Sequence, residues 1–336
     1  MKAAAQPEIA RDSVQDLVRR SVPGARELRL AECVKIASGV SHSTYVLKTV
    51  RPENHACLEF VLRIAPPASV QPALDVRSQY MLLKALQESG IPVPAVYGLD
   101  SGGALGRPCF LMEKVDGDNF VTWKSVEQRC GFATLRALRS QFIQTLTAIH
   151  ALDWKSMGLS FLGVPGDCHE YALAELQHWR AKLTSKDERE HPLLLNAVLW
   201  LKRRAPRCRH PLNLLHGDYR LINTIVRGGE IVSVLDWEVA AIGDPVADLG
   251  MLAMEIWGGG FLSRDELLHE YALRTGVEAT PEELRYWEVV GYFKTIAATF
   301  GFIHAFRHKQ VHDLRVALSA FKLTTFFEHL AELLAA

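Results

Sequence analysis

Apolar positions along the chain follow two regimes, which change over near residue 115. Before that point short runs dominate. ELRLAECVKIASG, HSTYVLKTV and LEFVLRIA read as strands, with a charged turn, RPENHAC, between the last two, and IPVPAVYGLD and RPCFLMEKV supply further extended segments. Among them VRSQYMLLKALQESG carries apolar residues at helical spacing, with Gly90 as its C-terminal stop. From Phe132 onward the period becomes helical. Leu135, Leu138, Phe142, Leu146 and Ile149 share one helix face, and further helical stretches follow at about 169–184, 190–204, 245–257, 263–275 and 281–332. One strand-like island interrupts them: PLNLLH, LINTIV and IVSVLDW at 211–236, the last two joined by a turn at Arg227-Gly228-Gly229-Glu230. The order predicts an α+β chain with a small antiparallel β-rich lobe over residues 1–115 and a larger, mostly helical lobe over 116–336. No internal repeat, low-complexity tract or long disordered linker breaks this pattern.

Composition narrows the picture further. With 336 residues the chain is long enough for two separate cores. Lys+Arg and Asp+Glu both number 38, so no bulk charge recruits nucleic acid or a membrane surface. The start, MKAAAQPEIARD, lacks the apolar run of a secretory signal. The most apolar late stretch, VVGYFKTIAATFGFIHAF, is interrupted by Lys294 and His304 and reads as a buried helix rather than a membrane span. A cytoplasmic monomer or homodimer is expected. Six cysteines, at 33, 57, 109, 130, 168 and 208, show no metal spacing and are expected as reduced, packed thiols. The thirteen histidines form no HExxH or comparable ligand cluster.

The candidate chemistry lies in the strand-like island. LLHGDYRLINTIV sets His216, Asp218 and Asn223 in an H-x-D-x-x-x-x-N pattern, and IVSVLDWE places Asp236 at the end of the next apolar run. That is the spacing of a kinase-type catalytic loop with a metal-binding aspartate downstream. Phosphoryl transfer needs a carboxylate near the attacking hydroxyl and oxygen ligands that hold magnesium on the triphosphate. Asp218 suits the first task, and Asn223 and Asp236 the second. A hairpin whose acids serve only turns and caps is the plainer alternative. It accounts for Asp244, which with Pro245 reads as a helix start, but not for the other three together.

HGDYRLIN, LDWE and GDPVADLG resemble the aminoglycoside phosphotransferase family of the protein-kinase-like superfamily, in a bacterial branch similar to the kinase-like domains of some acyl-CoA dehydrogenases. The likeness runs from about Glu32 to the C-terminal helices and is most specific between Leu214 and Leu252. It implies a two-lobe kinase-like fold with a nucleotide cleft between the lobes, and use of ATP and Mg2+. By the same resemblance Asp218 is the base, Asn223 and Asp236 bind magnesium, and Glu238 assists the metal. Arg220 either faces the transferred phosphate or forms a structural salt bridge. Asp248 braces the loop, and His150 is a packed structural histidine. SGVSHSTY is either an ordinary hairpin turn or a phosphate loop; the resemblance favours the latter, around Ser38, Gly39, Ser41 and Ser43. Arg63 in FVLRIAPP takes the place of the kinase lysine. Its usual glutamate partner is replaced by Gln79, which can accept a hydrogen bond from Arg63 but brings no charge. FLMEKVDG matches the hinge, where main-chain groups near Glu113 and Val115 would bind adenine.

The expected activity is transfer of the γ-phosphate of ATP to a hydroxyl of a small molecule. The alternative is a nucleotide-binding pseudokinase or regulatory module, which Gln79 alone favours. An aminoglycoside acceptor needs acidic walls. The segment YWEVVGYFKTIAATFGFIHAFRHK instead offers Phe293, Phe300, Phe302 and Phe306 with Lys294, Arg307, His308 and Lys309, and Glu288 as its acid. Trp179, Arg180 and Lys182 extend the same trend. The acceptor is therefore expected to be neutral or anionic and partly apolar, such as a hydroxyacyl chain on a carrier.

Overall fold

The structure, a computed structural model, describes residues 9–36, 42–66, 74–207, 210–255, 259, 261–308 and 318–336. The chain divides into two compact units, Met1–Asp116 and Gly117–Ala336.

Among the described residues, the first unit holds a five-stranded antiparallel sheet in the order β1-β2-β3-β5-β4: β1 (Arg29–Ile36), β2 (Ser43–Val50), β3 (Cys57–Ile64), β4 (Val96–Asp100) and β5 (Cys109–Glu113). Strand alternation gives the sheet two distinct faces. Leu47, Phe60, Leu62, Ile64, Cys109 and Leu111 point to one face and pack under helix α1 (Arg11–Ser21), through Val14, Leu17 and Val18. Arg63 and Phe110 are register partners and so share the opposite face, where α2 (Val76–Gln87) brings Tyr80 to within 5.9 Å of the Phe110 ring. Asp75 caps α2 by accepting from the Ser78 N–H at 2.7 Å. The helix α1 was not expected from the sequence. Its buried stripe, Val14, Leu17 and Val18, is a single i, i+3, i+4 set within 11 residues.

The second unit is helical: α3 (Trp123–His150, broken at Gly131), α4 (Cys168–Arg180), α5 (Ser185–Glu190), α6 (Pro192–Arg204), α7 (Val246–Ala253), α8 (Arg264–Thr275), α9 (Pro281–Arg307) and α10 (Leu323–Ala335). All five apolar residues expected on one face of α3, from Leu135 to Ile149, are buried. The expected single helix over 281–332 ends instead at Arg307. Helix α9 is, among the described residues, the one long and apolar enough to cross a membrane; 56% of that window is buried, against α7, α4, α6 and α10. Its apolar character thus belongs to the core of the unit. Cys168 is disulfide-bonded, which corrects the expectation of reduced thiols at that position, while Cys33, Cys57, Cys109 and Cys130 are free.

Two short antiparallel strand pairs lie within the second unit. β6 (Asn213–Leu215) pairs with β9 (Ala241–Gly243), and β7 (Thr224–Arg227) pairs with β8 (Glu230–Val234). The β7–β8 turn places Gly228 and Gly229 both at positive φ, as a two-residue hairpin with native strand twist requires. LINTIV, expected as a continuous strand, begins instead with a 3-10 turn at Leu221–Asn223, and the strand starts only at Thr224.

Helix α7 is drawn against α9 through a glycine. A Cβ on Gly250 would collide with the backbone of Trp287. Because that obstacle is main chain in mid-helix, Gly250→Ala must push the helices apart, costing about 1–3 kcal/mol. The expected result is a lowered urea midpoint; a midpoint equal to that of the unaltered protein would refute this account of the α7–α9 contact.

Candidate functional site

The loop after β6 is built on a buried chain of polar contacts. Leu214 and Leu215 anchor the strand in the core, followed by His216, which is fully buried. Gly217 takes φ +79°, and a Cβ there would strike the Val239 carbonyl, so both torsion and space demand glycine. The Asp248 carboxylate, at the start of α7, accepts the N–H groups of His216 and Gly217, each at 2.8 Å. Asp248 also lies 3.1 Å from His150 Nε2, while His150 Nδ1 lies 2.7 Å from the Tyr271 hydroxyl. Burial pushes the Asp248 carboxyl up, but His150, His216 and the loop N–H groups outweigh it and hold it below the usual range. His150 is thus a packed orienting residue.

His216 then ties this loop to the next one. Its Nε2 donates to the Leu235 carbonyl at 2.8 Å, and Nδ1 accepts the Asp218 N–H at 3.2 Å. Both contacts suit one neutral tautomer, and burial lowers the ring's pKa. From its other side, the Leu235 N–H donates to the Asn223 carbonyl at 2.7 Å. A single residue, Leu235, therefore holds the Asp218 loop, the Asn223 turn and Asp236 in register. Asp236 itself adopts φ +64°, a left-handed conformation that aspartate tolerates better than most residues.

The expected side chains converge here. Arg220 Nε and Nη2 donate to the two Asp218 carboxylate oxygens at 2.7 and 2.9 Å. Asn223 Nδ2 donates to the Asp218 carbonyl at 2.8 Å and to its carboxylate at 2.9 Å. Burial pushes the Asp218 carboxyl up, yet Arg220, Lys294 and His216 together hold it below the ordinary carboxylate range. Of the two readings of Arg220, the structure displays the ion pair. A carboxylate offers about four acceptor positions. The three N–H contacts on Asp218 orient it and leave room for a hydroxyl proton. The Asn223 amide spends its NH2 on Asp218, which turns the side-chain oxygen into its available metal ligand. Asn223 and Asp236 supply hard oxygen donors, a set that fits magnesium completed by water and phosphate. Glu238 follows two residues later and is half-buried. Among the described residues, no group of three or more His, Cys, Asp or Glu gathers to hold a metal.

Two participants escaped the sequence reading in these roles. Lys294, the lone lysine or arginine between Arg285 and Arg307 on α9, donates to the Gly217 carbonyl at 2.6 Å and lies 5.0 Å from the Trp179 ring centroid. Glu255 is close enough to Asp218 and Arg220 to feel both charges, and burial pushes its carboxyl up to about 7. Each had a signal, a single charge inside an apolar helical run. Other expected acceptor-wall residues are elsewhere engaged. Phe293 and Phe300 are buried in the core, Glu288 is fully buried and paired with Arg264 at 2.6 and 2.9 Å, and Arg180 is paired with Glu188 at 2.6 Å. Phe302 and Phe306 are half-buried, Arg307 and His308 are exposed, and Lys309 lies outside the described residues.

In the first unit, Arg63 sits on β3 as expected, Ser43 opens β2, and Ser38, Gly39 and Ser41 lie outside the described residues. The Glu113 N–H donates to the Ala95 carbonyl at 2.7 Å, and Val115 follows two residues beyond. The contact expected of Gln79 is made with a different residue: His42 stands against both Gln79 and Arg63.

Glu255 gives the site a pH signature. A carboxyl raised in the folded state is neutral and harmless at low pH, and it costs stability as pH rises from about 4.5 through about 7. Glu255→Gln removes that cost. In metal-free urea titrations the variant should gain on the unaltered protein between pH 5 and pH 8, by at most about 3 kcal/mol. A difference that does not change with pH would contradict this placement.

Comparison with known proteins bears on the family and the fold. The model of a family described as "Phosphotransferase enzyme family" matches residues 32–287. Mouse acyl-CoA dehydrogenase family member 10 is 30% identical over 224 residues, covering 65% of this chain but 20% of that protein. The chain thus spans only a fraction of the length of such relatives. A Ralstonia eutropha protein provisionally named an aminoglycoside phosphotransferase superposes with a TM-score of 0.74 at 20% identity, covering 98% of this chain and 99% of that one. The streptomycin–ATP complex of APH(2")-IIa superposes with a TM-score of 0.54 at 17% identity, covering 86% and 95%. The fold is the kinase-like α+β fold of these enzymes, and the chain belongs to the phosphotransferase enzyme family.

Proposed function

We propose that this protein transfers the γ-phosphate of ATP to a hydroxyl group of a small molecule, with Asp218 as base. The observation that carries the reading is that His216, which accepts the Asp218 N–H, and Asn223, which donates to the Asp218 carboxylate, both bond to the backbone of Leu235, the residue before Asp236. Asp218 stays anionic at neutral pH, so it can orient the acceptor hydroxyl and take its proton as the oxygen attacks phosphorus. Asn223 and Asp236, assisted by Glu238, would hold magnesium, which when bound offsets charge on the phosphates. Arg63 would meet phosphate oxygens with its planar fork, the Ser38–Ser43 segment would cradle them, and main chain near Glu113 and Val115 would receive adenine. ATP use is supported by relatives such as APH(2")-IIa, whose complex contains ATP.

The acceptor we propose is neutral or anionic and partly apolar, of the hydroxyacyl-thioester kind. Support comes from Lys294 beside the catalytic loop and from Trp179 against it, and from relatives named as acyl-CoA dehydrogenase family members. A cation within the loop's support disfavours a polyamine sugar at that point.

Transfer of 32P from ATP to hydroxyacyl-coenzyme A compounds and to kanamycin-type aminoglycosides, run side by side, tests both parts. Label should pass to the acyl compounds. Asp218→Asn should slow transfer by roughly 10²–10⁴-fold with little change in ATP affinity. Equal turnover by the variant would refute the base. Label on the aminoglycosides alone would refute the acceptor class, and ATP binding without transfer to any acceptor would favour a binding module.

A further inference from the structure

The peptide bond that leads into Asp218 is held at both of its poles. Its N–H, on Asp218, donates to His216 Nδ1 at 3.2 Å, and its carbonyl, on Gly217, accepts from Lys294 Nζ at 2.6 Å. The N–H of the preceding peptide, on Gly217, is held separately by Asp248 at 2.8 Å. Lys294 comes from the middle of α9, where its neighbours Phe293, Ile296 and Ala297 are buried, and it is itself only 9% exposed. Its Nζ also lies 5.0 Å from the centre of the Trp179 ring, on α4. An ammonium in such surroundings is costly unless it has partners. The partner it has is the carbonyl of the residue before Asp218.

We infer that Lys294 is a positioning residue, whose ammonium locks the Gly217–Asp218 peptide and so the backbone from which Asp218 is aimed. The inference rests on the phosphotransferase reading above, in which Asp218 meets the acceptor hydroxyl. The need for a lock follows from glycine. Residue 217 must be glycine, because φ +79° and the closeness of the Val239 carbonyl leave no place for a side chain. The same freedom makes the next peptide easy to turn. Rotation of that peptide is shared between ψ of Gly217, which costs little at glycine, and φ of Asp218, which loosens the support of the carboxylate. On the N–H side only the 3.2 Å contact with His216 opposes it. On the carbonyl side a charged donor does, and hydrogen bonds from charged donors are the stronger kind. Arg220 and Asn223 hold the carboxylate itself, from residues that follow it. Lys294 holds the main chain just before it, from a helix distant in sequence.

The test combines hydrogen exchange and kinetics on the full chain. Lys294→Met keeps an unbranched side chain of similar volume and removes the donor. The Asp218 amide should then exchange roughly 10–100-fold faster, the scale of one hydrogen bond to a charged group, while Leu214 and Leu215 in β6 keep their rates. In the 32P assay, with the acceptor that takes label, kcat should fall by a similar factor of roughly 10–100, and KM for MgATP should change by less than about twofold. Lys294→Arg, which keeps a charged donor, should recover part of both effects. If Lys294→Met fails to fold by circular dichroism, Lys294→Gln, whose side chain is one atom shorter than that of lysine, carries both measurements. Faster exchange spread equally over Leu214, Leu215 and Asp218 would show that Lys294 only supports the core, and would overturn the inference. An unchanged Asp218 amide, or a faster one with kcat intact, would overturn it as well and leave the phosphotransferase reading standing. Absence of transfer by the unaltered protein to any acceptor would overturn that reading instead, and the exchange rates would then decide by themselves whether Lys294 locks this peptide.

Discussion

One buried carboxylate organises the candidate site. Asp248 lies in the core with no solvent exposure, a position that is tolerable only because hydrogen-bond donors surround it. Two of those donors are consecutive backbone N–H groups, His216 and Gly217, on the segment that carries Asp218. The third partner, His150, connects the carboxylate to Tyr271 on α8. Removing the acid would strand two buried N–H groups, each costing roughly 1–3 kcal/mol. The loop is therefore shaped from behind by core elements, α3, α7 and α8. Its working face is left to Asp218, Arg220 and Asn223.

The electrostatics follow from that frame. Asp218 is anionic because Arg220, Lys294 and His216 oppose the effect of burial, and Lys294 reaches the loop from the middle of α9. A lysine in the most apolar helix is costly unless it has partners. Its partners are the Gly217 carbonyl and the Trp179 ring. Glu255 answers from the opposite sign, with its carboxyl raised to about 7 beside Asp218 and Arg220. The site thus holds two acids with separated proton affinities. Such separation lets neighbouring groups carry different protonation states at neutral pH.

Much of this was legible in the sequence where the signal was local. The face of α3, the Gly228-Gly229 turn, the capping role of Asp244 and the grouping of Asp218, Asn223 and Asp236 all follow from spacing or turn chemistry; the Val246 N–H does donate to Asp244, at 3.0 Å. What escaped was set by contacts distant in sequence. The 3-10 turn at Leu221–Asn223 interrupts a strand-like run because the Asn223 amide must turn toward Asp218. Lys294 and Glu255 acquire meaning only once α9 and the end of α7 are packed near the loop. Phe293 and Phe300, plausible lining residues by composition, are core residues because α9 is buried on several sides. The Gln79 substitution looked like a missing charge, since no spacing rule points to the His42 ring beside it.

The central claim is that the loop carrying Asp218 is fixed before any ligand arrives, by the Asp248 carboxylate on the His216 and Gly217 amides. Native-state hydrogen exchange on the ligand-free protein measures this directly. Both amides should exchange as slowly as the buried strand residues Leu214 and Leu215, through openings close to global unfolding. Exchange of His216 and Gly217 at the rates of an exposed surface loop would contradict the account.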